Sequence, residues 1–245
     1  MSVCDNGVTI LMRHGYTDYK QGNVPVSIED ANDLNAEGIE AVSASAREIA
    51  AILQNSEQIT IYTSPMGRAI HTAIIVKVHL EVLGRTVDVV PAMELQEVHH
   101  FQWSLFHEAV LASGLEVAKE HTDKWFALNP FREKTPALLE RLPEHLRDFV
   151  QKVENVDEAR KRLLDFVGSK ADEPGDKIYV SHDGLLCGLL KELSSDQLFT
   201  CTRSHYFEII PAGNAAGMQI GHNNLGYIPR DPETLRQGLP LKQQR

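Results

Sequence analysis

With 245 residues, 42% of them hydrophobic, the chain has enough apolar material for a sizeable core in one large domain or a domain and a half. Its formal net charge of −10 argues against broad nucleic-acid or anionic-membrane binding, which rely on an excess of Lys and Arg, so any phosphate pocket must be a local positive focus. The three cysteines, Cys4, Cys187 and Cys201, lack CxxC spacing and exclude a disulfide scaffold, a zinc knuckle or a redox motif; they read as buried free thiols in a reducing compartment.

The N-terminus carries no signal-peptide pattern, because Asp5, Asn6, Arg13 and His14 interrupt its apolar residues. No later stretch has the uninterrupted apolar length that crosses a bilayer. A cytoplasmic protein is expected.

In chain order, Val8 to Met12 is a short β-rich run that ends abruptly in Arg13-His14-Gly15, a buried strand delivering polar residues to a loop. Open α/β folds place their chemistry at such strand ends. From Ala36 to Gln54, the recurrence of Ile39, Val42, Ala46, Ile49 and Leu53 predicts a helix with one buried face. Ile59 to Tyr62 reads as a second strand. Ser64 is then read as an N-cap with Pro65 in the first turn, followed by the stripe Ala69, Ala73, Val76, Leu80 and Leu83. That start places Arg68 about one turn inside the helix, near its positive end. Val87 to Val90 is a third strand, leading to Pro91 and the acidic segment Met93 to Val98.

Between Phe101 and Gly168 the pattern is helical, with starts at Thr135-Pro136 and Asn155, a kink at Pro143 and a stop at Gly168. It reads as a helical insertion, about residues 101–168, covering the site. Strand signals resume at Ile178 to Ser181, before His182-Asp183-Gly184 and an apolar helix, and again at Tyr206 to Ile210 and Met218 to Ile220. Alternating strands and helices imply an α/β domain over residues 1–228, a three-layer sandwich with a mainly parallel central sheet. Residues 229–245 read as a poorly ordered tail.

Two strands therefore end in histidine, and a helix start between them carries Arg68. Two imidazoles and two guanidinium groups at one sheet edge suit phosphoryl transfer: the arginine forks match the equatorial oxygens, one imidazole attacks, and the other donates to departing charge. The chain has no GxxxxGK[ST], GxGxxG or GxSxG motif, and His107-Glu108 lacks the second histidine of HExxH. His99-His100 is not read as a metal site, because adjacent side chains point apart and no carboxylate spacing supports it. His71, His79, His121, His145 and His205 receive no role, and Trp103 and Phe106 read as core.

At these residues the chain resembles the histidine phosphatase superfamily, the phosphoglycerate mutase-like proteins. Arg13 to Thr17 resembles the RHGxT signature, Leu34 to Gly38 the following LTxxG, and Thr63 to Ala73 the SSPxxRAxxTA segment. Ser181 to Gly184 resembles SHxG, and His222-Asn223-Asn224 the closing asparagine segment. The resemblance implies that His14 is the phosphorylated nucleophile, His182 the second pocket histidine, and Arg13 and Arg68 the phosphate clamps. It also implies a carboxylic acid after the third strand in an LxE register; Leu95-Gln96-Glu97 fits, making Glu97 the general acid and then base, with Glu94 as the competing carboxylate. Thr17 and Asp183, inside the same motifs, are assigned to substrate binding, and so is Lys20, as a donor for a second phosphate or carboxylate, its alternative being a solvated loop lysine.

Members with mutase activity usually carry an asparagine soon after RHGxT, where this chain has Lys20, and a GGES segment in the insertion, which has no counterpart in this chain. The expected activity is thus a metal-independent, cofactor-free phosphomonoesterase acting on a phosphorylated small molecule, with no nucleic-acid or membrane partner. A phosphoglycerate-type mutase and a non-catalytic phospholigand-binding module are the rivals. The oligomeric state stays open, a homodimer among the options.

Overall fold

The computed structural model describes residues 8–18, 20–21, 24–25, 33–100, 102–114, 131, 133–170, 172–182, 217–221 and 224–228. Cys4, Cys187, Cys201, Asp183, His121, His205, the helix expected after Gly184, the strand expected at 206–210, His222-Asn223 and the tail lie outside these residues, as do the side chains of Lys20 and Trp103.

Strand β1 (Thr9–Arg13) is followed by a short antiparallel ribbon, β2 (Lys20–Gln21) and β3 (Val24–Pro25), then α1 (Ala36–Ile52), β4 (Gln58–Thr63), α2 (Gly67–Val82) and β5 (Thr86–Pro91). Among the described residues, a 3-10 turn (Met93–Leu95) precedes helices α3 (Trp103–Ser113), α4 (Pro136–Arg141), α5 (Glu144–Lys152) and α6 (Val156–Ser169). The described chain ends with β6 (Asp176–Ser181), β7 (Gly217–Gly221) and β8 (Asn224–Ile228).

Among the described residues, six strands form one sheet in the order β5-β4-β6-β1-β7-β8. The first four are parallel; β7 runs antiparallel to β1, and β8 antiparallel to β7. The period-2 alternation of a strand explains the layering. Ile10 and Met12 of β1, Ile59 and Ile61 of β4, and Ile178 and Val180 of β6 pack with α1 and α2 on one face. Leu11, Tyr62 and Tyr179 point the other way, into a cluster with residues of α3, α5 and α6. The chain moves outward from β1 to β5 with helices on one face and returns to β6 with helices on the other. Right-handed crossovers require that change of face when the direction of winding reverses. The stretch read as an insertion thus supplies the second helical layer, α6 lying on the sheet through Ala159, Leu163 and Phe166.

Several local readings are corrected. Helix α2 begins at Gly67, and its N-cap, Met66, makes no side-chain capping bond; Ser64 and Pro65 precede it, and Arg68 is its second residue. Ile39 and Leu83 are exposed, so the buried stripe of α1 begins at Gly38, Ala41 and Val42, and that of α2 ends at Leu80. Pro143 separates two helices and does not kink one: Leu142 before it is held extended (φ −91°, ψ 141°), as the proline ring requires. Helix α6 continues through Gly168 to Ser169. Asn155 and Thr135 cap as expected, Asn155 in a reciprocal capping box with Glu158.

Candidate active site

Three strand ends converge because β6 lies between β1 and β4 with all three parallel. His14 follows β1, Ser64 follows β4 and His182 follows β6. Their backbones are joined across the edge: His14 N donates to Ser181 O at 3.0 Å and Ser64 N to Val180 O at 2.9 Å.

Two glycines let the histidine loop sit on α1. A Cβ on Gly38 would lie 2.2 Å from Tyr16 O, and one on Gly15 would lie 2.7 Å from Val42 Cγ2. Asn35, the α1 N-cap, donates its own N–H to Tyr16 O at 3.0 Å while its side chain accepts from Gly38 N at 2.8 Å. Thr72 of α2 closes the other side, accepting from Gly15 N at 3.0 Å and donating to Arg68 O at 2.8 Å. The spacing of the LNAEG and RHG motifs is therefore a packing requirement as well as a chemical one.

Arg68 is the hub. Only 1% exposed, its guanidinium donates from Nε to His14 Nε2 at 3.2 Å, and from NH2 to Glu97 Oε2 at 3.0 Å and His182 Nδ1 at 3.4 Å. The two imidazole rings lie 5.1 Å apart between centroids, tilted by 60°. Hydrogen bonding sets their tautomers. His14 Nδ1 lies 2.7 Å from Gly15 O, which can only accept, so the proton is on Nδ1 and the lone pair on Nε2. His182 Nδ1 faces a group that can only donate, so Nε2–H points to Ser64 Oγ at 2.8 Å.

Burial, followed by the charges of Arg68 and Arg13, holds His14 well below the ordinary imidazole value of 6.5, outweighing the Gly15 carbonyl that raises it. Burial likewise leads for His182, followed by His14, Arg68, Arg13 and Arg162, and lowers it well below 6.5. Burial and charge thus favour the neutral form of both rings, and Nε2 of His14, its lone pair free of a proton, faces the guanidinium that an anion would engage.

The structure brings together five residues singled out from the sequence: His14, His182, Arg68 and Glu97 by direct contact, and Arg13, at the end of β1, through its charge on both rings. Thr17 is buried, and its hydroxyl has no hydrogen-bond partner among the described residues. Lys20 falls in the β2–β3 ribbon. Glu94 is exposed, and its backbone carbonyl accepts from Arg162. Ser64 was missed as a site residue: a serine before proline ahead of a helix is a capping signal, and only the fold brings His182 against it. Among the described residues, no group of three or more His, Cys, Asp or Glu side chains could hold a metal ion, and no helix is long and apolar enough to cross a membrane.

Comparison with solved structures places this fold among known ones. The product of the open reading frame Rv3214 from Mycobacterium tuberculosis matches with a TM-score of 0.50 at 14% identity, covering 91% of this chain and 96% of that one. A phosphoserine phosphatase from Entamoeba histolytica matches at TM-score 0.47 and 16% identity, over 91% and 95% of the two chains. A phosphoglycerate mutase from Plasmodium falciparum does so at 0.48 and 16%, over 90% of each. No curated protein matches the sequence. The family model for the histidine phosphatase superfamily (branch 1) matches residues 9–206, from the first residue of β1 past the last strand of the parallel sheet, and the chain belongs to that superfamily.

Proposed function

We propose that this protein is a phosphomonoesterase working through a phosphohistidine on His14, without a metal or organic cofactor. The observation that carries the reading is the single guanidinium of Arg68 in contact with His14 Nε2, Glu97 Oε2 and His182 Nδ1. An entering phosphoryl group replaces those contacts with its own oxygens. Arg68 then turns from the His14 lone pair to the phosphate, and Nε2 is released for in-line attack. Arg13, Arg68 and His182 take up the charge that spreads over the equatorial oxygens.

The Nδ1–H···O bond to Gly15 stays in place during attack and stabilises the ring as it gains positive character. Glu97, with a side chain 32% exposed, reaches solvent from the cluster's outer side. It protonates the leaving alcohol, and the resulting carboxylate then activates the water that hydrolyses the phosphohistidine. Bond making and breaking balance: the P–O bond to the alcohol is exchanged for P–N, and P–N for P–O of water.

The net charge of −10 supports a small phosphorylated substrate in place of nucleic acid or an anionic membrane, and a cytoplasmic setting fits the cysteine usage. Thr17, Lys20 and Asp183 are assigned to holding that substrate. Rapid quench with a radiolabelled aryl phosphate tests the reading. Acid-labile, base-stable label on His14 is the expected result. Label on serine or aspartate overturns the mechanism; binding without turnover would mean a phospholigand module, and dependence on a bisphosphate primer a mutase.

A further inference from the structure

The segment that carries Glu97 has almost no regular structure of its own, since the 3-10 turn ends at Leu95 and α3 begins at Trp103. Such a segment holds a carboxylate in place only if something outside it does the holding. Arg162 of α6 meets it along its backbone: NH1 donates to Glu94 O and, at 3.2 Å, to Gln96 O, while NH2 donates to Gln96 O at 3.2 Å and Glu97 O at 3.4 Å. The Nε–NH2 edge of the fork forms a bidentate pair with Glu154, Nε to Oε1 at 2.8 Å and NH2 to Oε2 at 2.7 Å, which leaves the second NH2 hydrogen shared between the Gln96 and Glu97 carbonyls.

Glu154 closes the arrangement from the other end. Its Oε2 accepts from His99 N at 3.1 Å, and its own N–H donates to His99 O at 3.1 Å. Residues 94–99 are therefore gripped at both ends, and Ser181 Oγ adds a donor to Leu95 O at 2.9 Å. The grip is sheltered, with side-chain exposures of 14% for Arg162 and 12% for Glu154. Its base is firm: the Asn155–Glu158 capping box starts α6 beside Glu154, and Phe166 packs edge-on against Tyr62 and Tyr179 of the sheet, at 5.5 and 6.0 Å between ring centroids.

We propose that Arg162, held by Glu154, is a positioning residue for catalysis: it sets the backbone that aims the Glu97 carboxyl at Arg68 and at the leaving oxygen. The proposal rests on the reading of Glu97 as the proton donor. A planar five-donor fork can satisfy Glu154 and three carbonyls at once, which a lysine ammonium cannot do. Misplacement of a general acid by about 1 Å costs up to a hundredfold in rate, so the grip acts on turnover more than on binding.

The experiment compares wild type, Arg162→Lys, Glu154→Gln, Glu97→Gln and the double variant Arg162→Lys/Glu97→Gln on alkyl and nitrophenyl phosphates. Expected for Arg162→Lys is a fall in kcat of roughly tenfold to a hundredfold on the alkyl ester. Phosphorylation of His14 by the nitrophenyl ester, which needs little protonation, and vanadate affinity should stay within a few-fold of wild type. The double variant should be no slower than Glu97→Gln, because a misaimed acid matters only while the acid is present. Glu154→Gln, which keeps the side-chain volume, should show the same pattern more weakly and serves if Arg162→Lys does not fold. Equal losses on both esters, losses additive with Glu97→Gln, or no loss would overturn the proposal. Should Glu97→Gln itself show no dependence on the leaving group, the reading of Glu97 fails first and separately.

Discussion

Ser64 Oγ stands 2.8 Å from His182 Nε2, a contact between residues 118 positions apart in which both partners are fully buried. Arg68, which can only donate to Nδ1, keeps the proton of His182 on Nε2, and the serine oxygen accepts it. Ser64→Ala leaves that N–H buried without a partner, a loss of about 1–3 kcal/mol in stability. Imidazole 15N NMR is expected to show His182 as the Nε2–H tautomer in the wild type and the variant alike, because Arg68 still faces Nδ1. A shift to the Nδ1–H tautomer in the variant would mean that the serine, and not Arg68, sets the proton.

Glu97 and Glu94 make opposite predictions. Glu97→Gln is expected to depress alkyl phosphate hydrolysis on the order of a hundredfold, the scale of general acid catalysis. With a nitrophenyl leaving group, phosphorylation of His14 should be partly spared and its hydrolysis slow, so phosphoenzyme accumulates in a burst. Glu94→Gln, whose carboxylate lies on the exposed surface, should change little. Single-turnover and steady-state kinetics on both variants decide the assignment; exchanged behaviour would exchange the roles.

The two histidines also make stability depend on pH. Both are lowered in the folded protein below 6.5, so between their folded values and 6.5 the unfolded chain binds more protons than the native one. Stability therefore rises with pH through that window and is lost as pH falls below about 6.5. Thermal melts across this range should show the loss, and His182→Gln should flatten the slope. A melting curve with the same slope in the variant would remove His182 as a source.

Gly38 and Gly168 both lie in helices, yet alanine should act on them with opposite sign. Helix propensity alone favours alanine by about 1 kcal/mol. At Gly168 nothing lies within 4 Å of an added Cβ, so Gly168→Ala should stabilise by up to about that amount. At Gly38 the new atom would lie 2.2 Å from Tyr16 O, a backbone atom tied to Asn35. Overpacking of about 1–3 kcal/mol or more then exceeds the propensity gain, and displacement of the His14 loop should lower activity as well. Chemical denaturation of both variants, with activity for Gly38→Ala, checks the pair.

Much of this protein follows from local sequence. Strands β1, β4 and β6 were readable because residues buried on both faces make continuous apolar runs, and the capping signals at Thr135 and Asn155 depend only on neighbouring backbone. His14, His182 and Arg68 were legible because strand ends and a helix start are where an α/β sheet exposes polar groups. Other features depend on what meets across the fold. Ser64 reads locally as a cap, and its engagement with His182 is decided by β6 entering the sheet beside β4. Arg162 sits in the charged run Arg160-Lys161-Arg162, which has the composition of a solvated helix face. Only the packing of α6 on the sheet turns Arg162 inward to the backbone that carries Glu97, because helical periodicity alone does not say which charge faces a neighbouring loop.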